Sequence, residues 1–182
     1  MKSAVSLAED LLGLIVSEED QDSEHFEGTP ARFVKMLREL TTPEEFVFTV
    51  FDSKHDEMII ESPIPFYSLC AHHVIPFFGA AHVAYIPQGK IAGLSKIART
   101  VVNMAKGLYT QEDLTYNIAE HLVEHLDPVG VAVVMRAEHL CMSMRGARSP
   151  GTMTTTSIMR GAFLDPSKQA RQEFLALIDG KM

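Results

Sequence analysis

Two short segments of the chain carry side chains that typically bind a metal ion. Cys70 and His73 lie three residues apart in the run Cys70-Ala71-His72-His73, and Cys141 is the only other cysteine of the sequence. Two thiolates and one imidazole suit zinc, and three protein ligands leave a fourth tetrahedral position for water. The pattern therefore indicates a catalytic zinc site. A buried Cys-His pair with an unrelated core cysteine is an equally weighted alternative.

Each of these two segments also contains a further histidine. His72 directly precedes His73, and His139 lies two residues before Cys141. Imidazole is the side chain best matched to moving protons near neutral pH. His72 and His139 are therefore candidate acid–base groups beside the ion.

Basic residues occur in groups that suit an anionic ligand. Ser95, Lys96 and Arg99 open a predicted helix after Gly93, where free amides, a hydroxyl and two cations favour phosphate. Two more arginines, Arg145 and Arg148, closely follow the second cysteine. The chain has a net charge of −8, so local positive charge predicts a polyphosphate ligand rather than a nucleic-acid polymer, which needs a broad basic face.

Three other charged residues have a structural as well as a functional interpretation. Arg32 and Lys35 lie three apart at the start of a predicted helix, where they suit an anion. Two solvated charges are the simpler interpretation of that pair. Glu112 opens another predicted helix, where a carboxylate stabilises the first turn or accepts two N–H bonds from a guanine edge.

The periodicity of apolar residues predicts an α+β fold. The predicted strands are Met58–Tyr67, Phe77–Pro87, Gly130–Ala137 and Met153–Phe163, and the predicted helices are Ser3–Ile15, Thr29–Leu40, Leu94–Leu108, Glu112–Leu126 and Ser167–Ile178. Ser17–Asp22 is predicted to be a solvated loop. The order strand, strand, helix, helix, strand, strand fits an antiparallel four-stranded sheet with two helices on one face. N-terminal helices and a C-terminal helix flank this core.

The composition is that of a compact globular chain. Its 182 residues are 46% hydrophobic and 22% charged, which excludes a disordered or fibrous segment. No apolar run approaches the roughly 20 residues that span a bilayer, and the N-terminus lacks a basic start with a long apolar core. We expect a cytoplasmic protein that has no membrane partner and forms no disulfide.

Several separated motifs follow one another along the chain: TPARFVK, CAHHVIPFFGAAHVAYIP, GLSKIARTV, QEDLT, EHLCMSMRGAR and TTTS. In this order they resemble the GTP cyclohydrolase I family, over about residues 28–163. The resemblance implies the tunnelling fold and a homodecamer with active sites at subunit interfaces. It also implies a zinc-dependent cyclic amidine hydrolase that converts GTP to 7,8-dihydroneopterin triphosphate with release of formate.

The resemblance also implies one domain and a place in metabolism. The domain spans residues 1–182, with an N-terminal helical part over 1–45, a tunnelling-fold core over 56–165 and a C-terminal helix over 166–182. The reaction belongs to pterin and tetrahydrofolate biosynthesis in one-carbon metabolism. The downstream pathway stays open among folate, another pterin and a deazaguanine.

Carried over position by position, the resemblance implies a role for each candidate residue. The implied zinc ligands are Cys70, His73 and Cys141, and the implied acid–base histidines are His72 and His139. Glu112 and Gln111 are assigned to guanine. The residues assigned to the ribose and triphosphate region are Ser95, Lys96, Arg99, Arg145, Arg32 and Lys35, with the Ser95 hydroxyl also serving the sugar rearrangement.

One position departs from the family pattern. The family usually has a glutamate between the cysteine and the first histidine, and here that place is Ala71. A carboxylate that adjoins the site is therefore missing. Two other functions stay open on this ground: a related zinc hydrolase that stops at the ring-opened formamide, and a catalytically silent GTP-binding subunit.

Overall fold

The computed structural model describes residues 2–179, with Lys168 described by its backbone alone. Met1 and residues 180–182, which belong to the predicted N-terminal part and the predicted C-terminal segment, lie outside the described residues. The chain divides into two compact units, one that ends at Thr42 and one that begins at Pro43.

The first unit is helical, as predicted. It contains α1 (Ala4–Ile15), α2 (Glu18–Gln21) and α3 (Thr29–Thr41), with α1 packed against α3. The Ser3 hydroxyl caps α1 by accepting a hydrogen bond from the Ser6 amide. The residue at the cap position before α3 is Gly28, in the left-handed region at φ 70°, and it provides no side-chain hydrogen bond to the helix.

The prediction of a loop over Ser17–Asp22 is wrong in part, because α2 is one helical turn within it. The Ser17 hydroxyl accepts a hydrogen bond from the Asp20 amide. Acidic side chains fill the first turn of α2, where the helix dipole favours negative charge. Capping and the helix dipole, rather than apolar packing, stabilise this turn. Its four residues therefore show no apolar periodicity, and the sequence pattern did not indicate a helix there.

The second unit contains the sheet. Its strands and helices in chain order are β1 (Val50–Asp52), β2 (Ile59–Cys70), β3 (Pro76–Ile86), β4 (Lys90–Ala92), α4 (Leu94–Met104), β5 (Leu108–Tyr109), α5 (Gln111–Leu126), β6 (Gly130–His139), α6 (Leu140–Ser143), β7 (Met153–Gly161) and α7 (Ala170–Ile178). The main sheet has the order β5-β2-β3-β6-β7, and β1 pairs separately with β4.

The predicted antiparallel four-stranded sheet is confirmed by the pairs β2–β3, β3–β6 and β6–β7. The structure adds β5, which pairs in parallel with the end of β2. Helix α4 ends at Met104 rather than at the predicted Leu108, because a turn follows it and Leu108 belongs to β5. The observed α+β arrangement agrees with the fold class that the sequence predicted.

Apolar layers cover both faces of the sheet. Helices α4 and α5 lie on one face, where Ile97, Leu114 and Leu122 are buried against β2, β3 and β6. On the other face, Phe174 and Ile178 of α7 pack with side chains of β3 and β6. The first six residues of β6 are consequently all buried, as expected of a strand covered on two sides. Among the described residues, no helix has both the length and the apolar character needed to cross a bilayer.

The candidate site residues converge at one end of this sheet. Cys70 ends β2 and pairs with Tyr109 of β5, which is separated from α5 by Thr110 alone. Phe77, at the start of β3, pairs with His139 at the end of β6. The turn between β2 and β3, the start of α5 and the end of β6 therefore lie together.

Away from this end, Glu61 places a carboxyl group under α4. It lies at an irregularity in the β2–β3 register. Its Oε1 atom is buried and has no hydrogen-bond partner among the described residues. Burial raises the pKa of Glu61 to about 7, although a hydrogen bond from the Ala98 backbone acts in the opposite direction.

The raised pKa of Glu61 predicts that the free energy of unfolding falls as the pH rises. Between the ordinary value near 4.5 and about 7 the folded chain retains a proton that the unfolded chain has released. The contribution of Glu61 to the free energy of unfolding is therefore present at low pH and falls as the pH rises through about 7. We expect Glu61→Gln to be more stable than the parent at pH 8 by about 1 kcal/mol, after allowance for partial exposure.

The measurement is the unfolding midpoint at about pH 5 and about pH 8 at one protein concentration. The control is Glu57→Gln, since Glu57 is exposed and lies just before the same strand. A Glu61→Gln protein that is no more stable than its parent at the higher pH would contradict this assignment.

Candidate active site

Cys70, His73 and Cys141 form a cluster of three potential metal ligands. One ligand atom from each residue lies within 4.8 Å of the others. The two Sγ atoms are 4.0 Å apart, and Cys70 Sγ is 3.9 Å from His73 Nδ1. The turn after β2 positions His73, because the amides of His73 and Val74 both donate hydrogen bonds to the Cys70 carbonyl. Short helix α6 presents Cys141 from the other side.

The donor set and its spacing fit a zinc ion. Two sulfur ligands at about 2.3 Å from a tetrahedral zinc lie about 3.8 Å apart, close to the separation of Cys70 and Cys141. Burial raises the pKa of the Cys141 thiol, and the neighbouring Cys70 thiol raises it further. A divalent cation would supply the positive charge that two adjacent thiolates need.

His72 lies beside this cluster rather than within it. Its Nδ1 atom is 3.6 Å from Cys70 Sγ, and its ring is inclined at 62° to that of His73. His72 is exposed, so its imidazole is accessible to solvent and to a ligand.

His139 is held on two sides. Its ring stacks on Phe77 with centroids 4.6 Å apart and an interplanar angle of 1°. Its Nε2 atom lies 2.7 Å from Oε1 of Gln111. Phe77 is fully buried and Gln111 is 1% exposed, so both contacts come from rigid parts of the fold.

The electrostatic surroundings of His139 favour its neutral form. Burial lowers the pKa of His139, and the negative charge of Glu112 opposes part of this shift. Glu112 is exposed in the first turn of α5. The free site at neutral pH therefore offers an uncharged imidazole, with a carboxylate near enough to stabilise the charged form.

A family model described as GTP cyclohydrolase I matches residues 8–179 of the chain. The chain belongs to the GTP cyclohydrolase I family. Among similar curated proteins, each named "GTP cyclohydrolase 1", that of Hydrogenobaculum sp. (strain Y04AAS1) is 51% identical and the alignment covers 88% of both chains. That of Geobacillus sp. (strain WCH70) is 46% identical over 89% of both. That of Mycolicibacterium vanbaalenii is 49% identical over 91% of this chain and 85% of its own.

Membership of the GTP cyclohydrolase I family confirms the resemblance seen in the motifs and makes the chain an enzyme of that family. The structure brings together the three residues that the sequence suggested as metal ligands, with His72 beside them and His139 at the same end of the sheet. Cys141 is not an unrelated core cysteine, since it is only half-buried and its Sγ lies 4.0 Å from Cys70 Sγ. Metal binding by the three residues stays a prediction.

The candidate phosphate-binding residues of the GTP cyclohydrolase I motifs lie on α4. Ser95 and Lys96 are in its first turn, where the preceding Gly93 provides no side-chain cap. Arg99 is exposed and lines a cavity of about 400 Å³ together with Glu44 and Lys106. The assignment of these three candidates to ribose and triphosphate stays a prediction.

The remaining candidate cations lie outside α4. Arg145 is exposed after α6, and its charge lowers the pKa of Cys141, although by less than burial raises it. Arg32 and Lys35 lie on α3 in the first unit, where Arg32 donates to the Thr29 hydroxyl and Lys35 lies 3.8 Å from Glu39. Their assignment to the triphosphate region rests on the family resemblance alone.

Two features of the site were not evident from sequence reasoning. In the sequence, Phe77 is indistinguishable from other apolar strand residues. Its stacking on His139 follows from the β3–β6 register, in which the two residues are paired. Gln111 was assigned to guanine, whereas in the structure its amide is buried and contacts His139. A buried polar residue at the start of a helix has no sequence signal of its own.

Proposed function

We propose that this chain hydrolyses the guanine imidazole ring of GTP, releases formate and forms 7,8-dihydroneopterin triphosphate in a zinc-dependent reaction. The observation that carries the proposal is the cluster of Cys70, His73 and Cys141, in a chain of the GTP cyclohydrolase I family. The oriented imidazole of His139 at the same end of the sheet supports it. We propose a homodecamer, by family membership.

Cys70, His73 and Cys141 would hold the zinc ion. When bound, zinc supplies a water whose pKa is lowered to near 7 and which is therefore available as a nucleophile at neutral pH. The protein residues around the ion then bind the substrate, orient it and move its protons.

His139 is the proposed proton-transfer group for the guanine ring. Its imidazole is neutral in the free site and is held by Phe77 and Gln111, so it offers one ring nitrogen in a fixed direction. It can take up a proton and return it to the ring nitrogen that leaves the opened carbon. The nearby Glu112 carboxylate stabilises the protonated state.

Later steps open, rearrange and close the ribose, and these steps also move protons. His72 is exposed beside the ligand cluster, and Ser95 is exposed at the start of α4. We assign these two side chains to the sugar steps.

Charged side chains would hold the ends of the substrate. Glu112 accepts N–H bonds from the guanine edge, and Lys96, Arg99 and Arg145 bind the triphosphate. Binding of the remote phosphates contributes to the rate by positioning the base at the reacting groups.

The product of GTP tests this function directly. Purified protein with zinc is incubated with GTP, and the products are analysed by mass, fluorescence and formate content. We expect a pterin triphosphate and formate in equal amounts. A product heavier than GTP by one water, without formate, would show instead the hydrolase that stops at the formamide, and GTP binding without turnover would show a silent subunit.

The formamide alternative is motivated by one residue. Ala71 is exposed, and its amide donates a hydrogen bond to the Tyr109 carbonyl at 3.0 Å. The turn thus keeps its backbone anchor without the carboxylate that the family usually has there. The product analysis above distinguishes a complete reaction from one that is interrupted at this point.

A further inference from the structure

Gln111 is a buried amide at the first position of α5. It is 1% exposed, and all of its amide atoms have partners. The Nε2 atom lies 3.0 Å from the Met135 carbonyl, 3.1 Å from the Thr154 carbonyl and 3.1 Å from Thr156 Oγ1. Oε1 lies 2.7 Å from His139 Nε2. The side chain therefore connects two neighbouring strands with the candidate proton-transfer group.

These partners determine which way the amide points. The carbonyl oxygens of Met135 and Thr154 only accept hydrogen bonds, so the NH₂ group of Gln111 must face them. The reversed amide would place its oxygen against two carbonyl oxygens in a buried site and leave them without this donor. We assign the observed orientation on this basis.

The amide orientation in turn determines the tautomer of His139. Oε1 of Gln111 can only accept a hydrogen bond, so the Nε2 atom of His139 must carry a proton. In the neutral imidazole the lone pair is then on Nδ1. Stacking on Phe77 fixes the plane of the ring, and the hydrogen bond to Gln111 fixes its rotation within that plane.

We propose that Gln111 is a positioning residue for His139, whose amide oxygen accepts the Nε2–H hydrogen bond and so fixes both the tautomer and the rotation of the imidazole ring. The inference rests on the proposed function, in which His139 transfers a proton to the guanine ring. It gives Gln111 a different role from the direct guanine contact that the family resemblance implied, because both polar ends of its amide already have partners.

Contacts with the neighbouring hydroxyls fix the position of this amide, which favours a structural role over direct contact with a ligand. Thr156 Oγ1 lies 2.6 Å from Thr115 Oγ1, and the Thr115 hydroxyl also lies 2.6 Å from the Gln111 carbonyl. Thr115 is fully buried one turn along α5. The backbone carbonyl of Gln111 thus accepts a hydrogen bond from Thr115, its side chain donates to Thr156, and the two threonine hydroxyls contact each other.

The test combines kinetics with a direct observation of the tautomer. Gln111→Met keeps the length of the side chain and removes both polar ends. We expect kcat for formate release to fall about 10- to 100-fold, with the KM for GTP changed by less than about threefold. The preference for GTP over inosine triphosphate, which lacks the exocyclic amine, should not change. Glu112→Gln, by contrast, should reduce that preference.

The second readout is solid-state ¹⁵N NMR of histidine-labelled, zinc-loaded protein at a mildly basic pH. The resonances that disappear in His139→Asn identify His139. In the parent protein we expect His139 as the Nε2–H tautomer, and in Gln111→Met a mixture of tautomers. The control is Thr110→Ala, which removes the hydroxyl cap of α5 at the Asp113 amide but leaves the Gln111 amide in place. It should keep kcat within about twofold and leave the tautomer unchanged.

Two outcomes would overturn the inference. One is a parent protein in which His139 carries its proton on Nδ1, a result that holds even if Gln111→Met fails to fold. The other is a Gln111→Met protein with an unchanged kcat, or with a raised KM and a lost preference for GTP, which would assign Gln111 to base recognition. A parent protein that releases no formate contradicts the proposed function instead, and the NMR spectrum still tests the tautomer.

Discussion

Replacing Cys141 with alanine should abolish both zinc binding and formate release. Cys70, His73 and Cys141 are the three residues whose ligand atoms come within 4.8 Å of one another. Removing one thiolate leaves two protein ligands on one short turn, one fewer than the three that typically hold a catalytic zinc ion. Loss of residues that merely support metal ligands typically costs up to about 100-fold in metal affinity or activity, so loss of a ligand should cost more.

Metal content by mass spectrometry and formate release from GTP are measured on the same preparation of Cys141→Ala. The matched control is Met142→Ala, which alters a partly exposed neighbour on α6 and leaves the ligand set intact. We expect the control to bind one zinc per chain and to release formate normally. A Cys141→Ala protein that still releases formate without zinc would contradict the proposed role of the cluster.

Replacing His139 with asparagine should leave zinc bound but lower formate release by about 10²- to 10⁴-fold, the usual contribution of a general acid–base group. The amide of asparagine cannot take up and return a proton. The three candidate zinc ligands stay unchanged, so the metal content should equal that of the parent. The KM for GTP should change little, because we assign His139 to proton transfer rather than to substrate binding.

The control for His139→Asn is His55→Asn, since His55 is exposed in the segment that leads to β2. Single-turnover analysis of His139→Asn shows at which step the reaction is slowed. Formate release within a few-fold of the parent rate would exclude His139 as the proton-transfer group.

The sheet could be predicted from the sequence because its strands are long and strongly patterned. β6 was expected from its β-branched residues, and the structure extends it from Ala137 to His139. β5 was missed because a strand of two residues shows no alternation. It forms because Leu108 and Tyr109 pair with the end of β2, a contact that no local pattern reveals.

The candidate site was predictable to a similar degree. Cys70 and His73 could be recognised from their spacing, since a metal site needs both ligands near the same turn. Their proximity to Cys141 depends on the pairing of β2 with β3 and of β3 with β6. Only the family resemblance of the ordered motifs indicated this proximity. The hold of Gln111 on His139 was not predictable, because the amide orientation follows from carbonyl groups on β6 and β7 that are distant in sequence.

The most direct test of the central claim is zinc content measured alongside GTP turnover on the same purified protein. Metal is removed with a chelator and zinc is returned in steps, with bound zinc and released formate determined at each step. The proposed function predicts that formate release is absent without zinc and rises in proportion to bound zinc until one ion per chain is present. Full release of formate by zinc-free protein would contradict it.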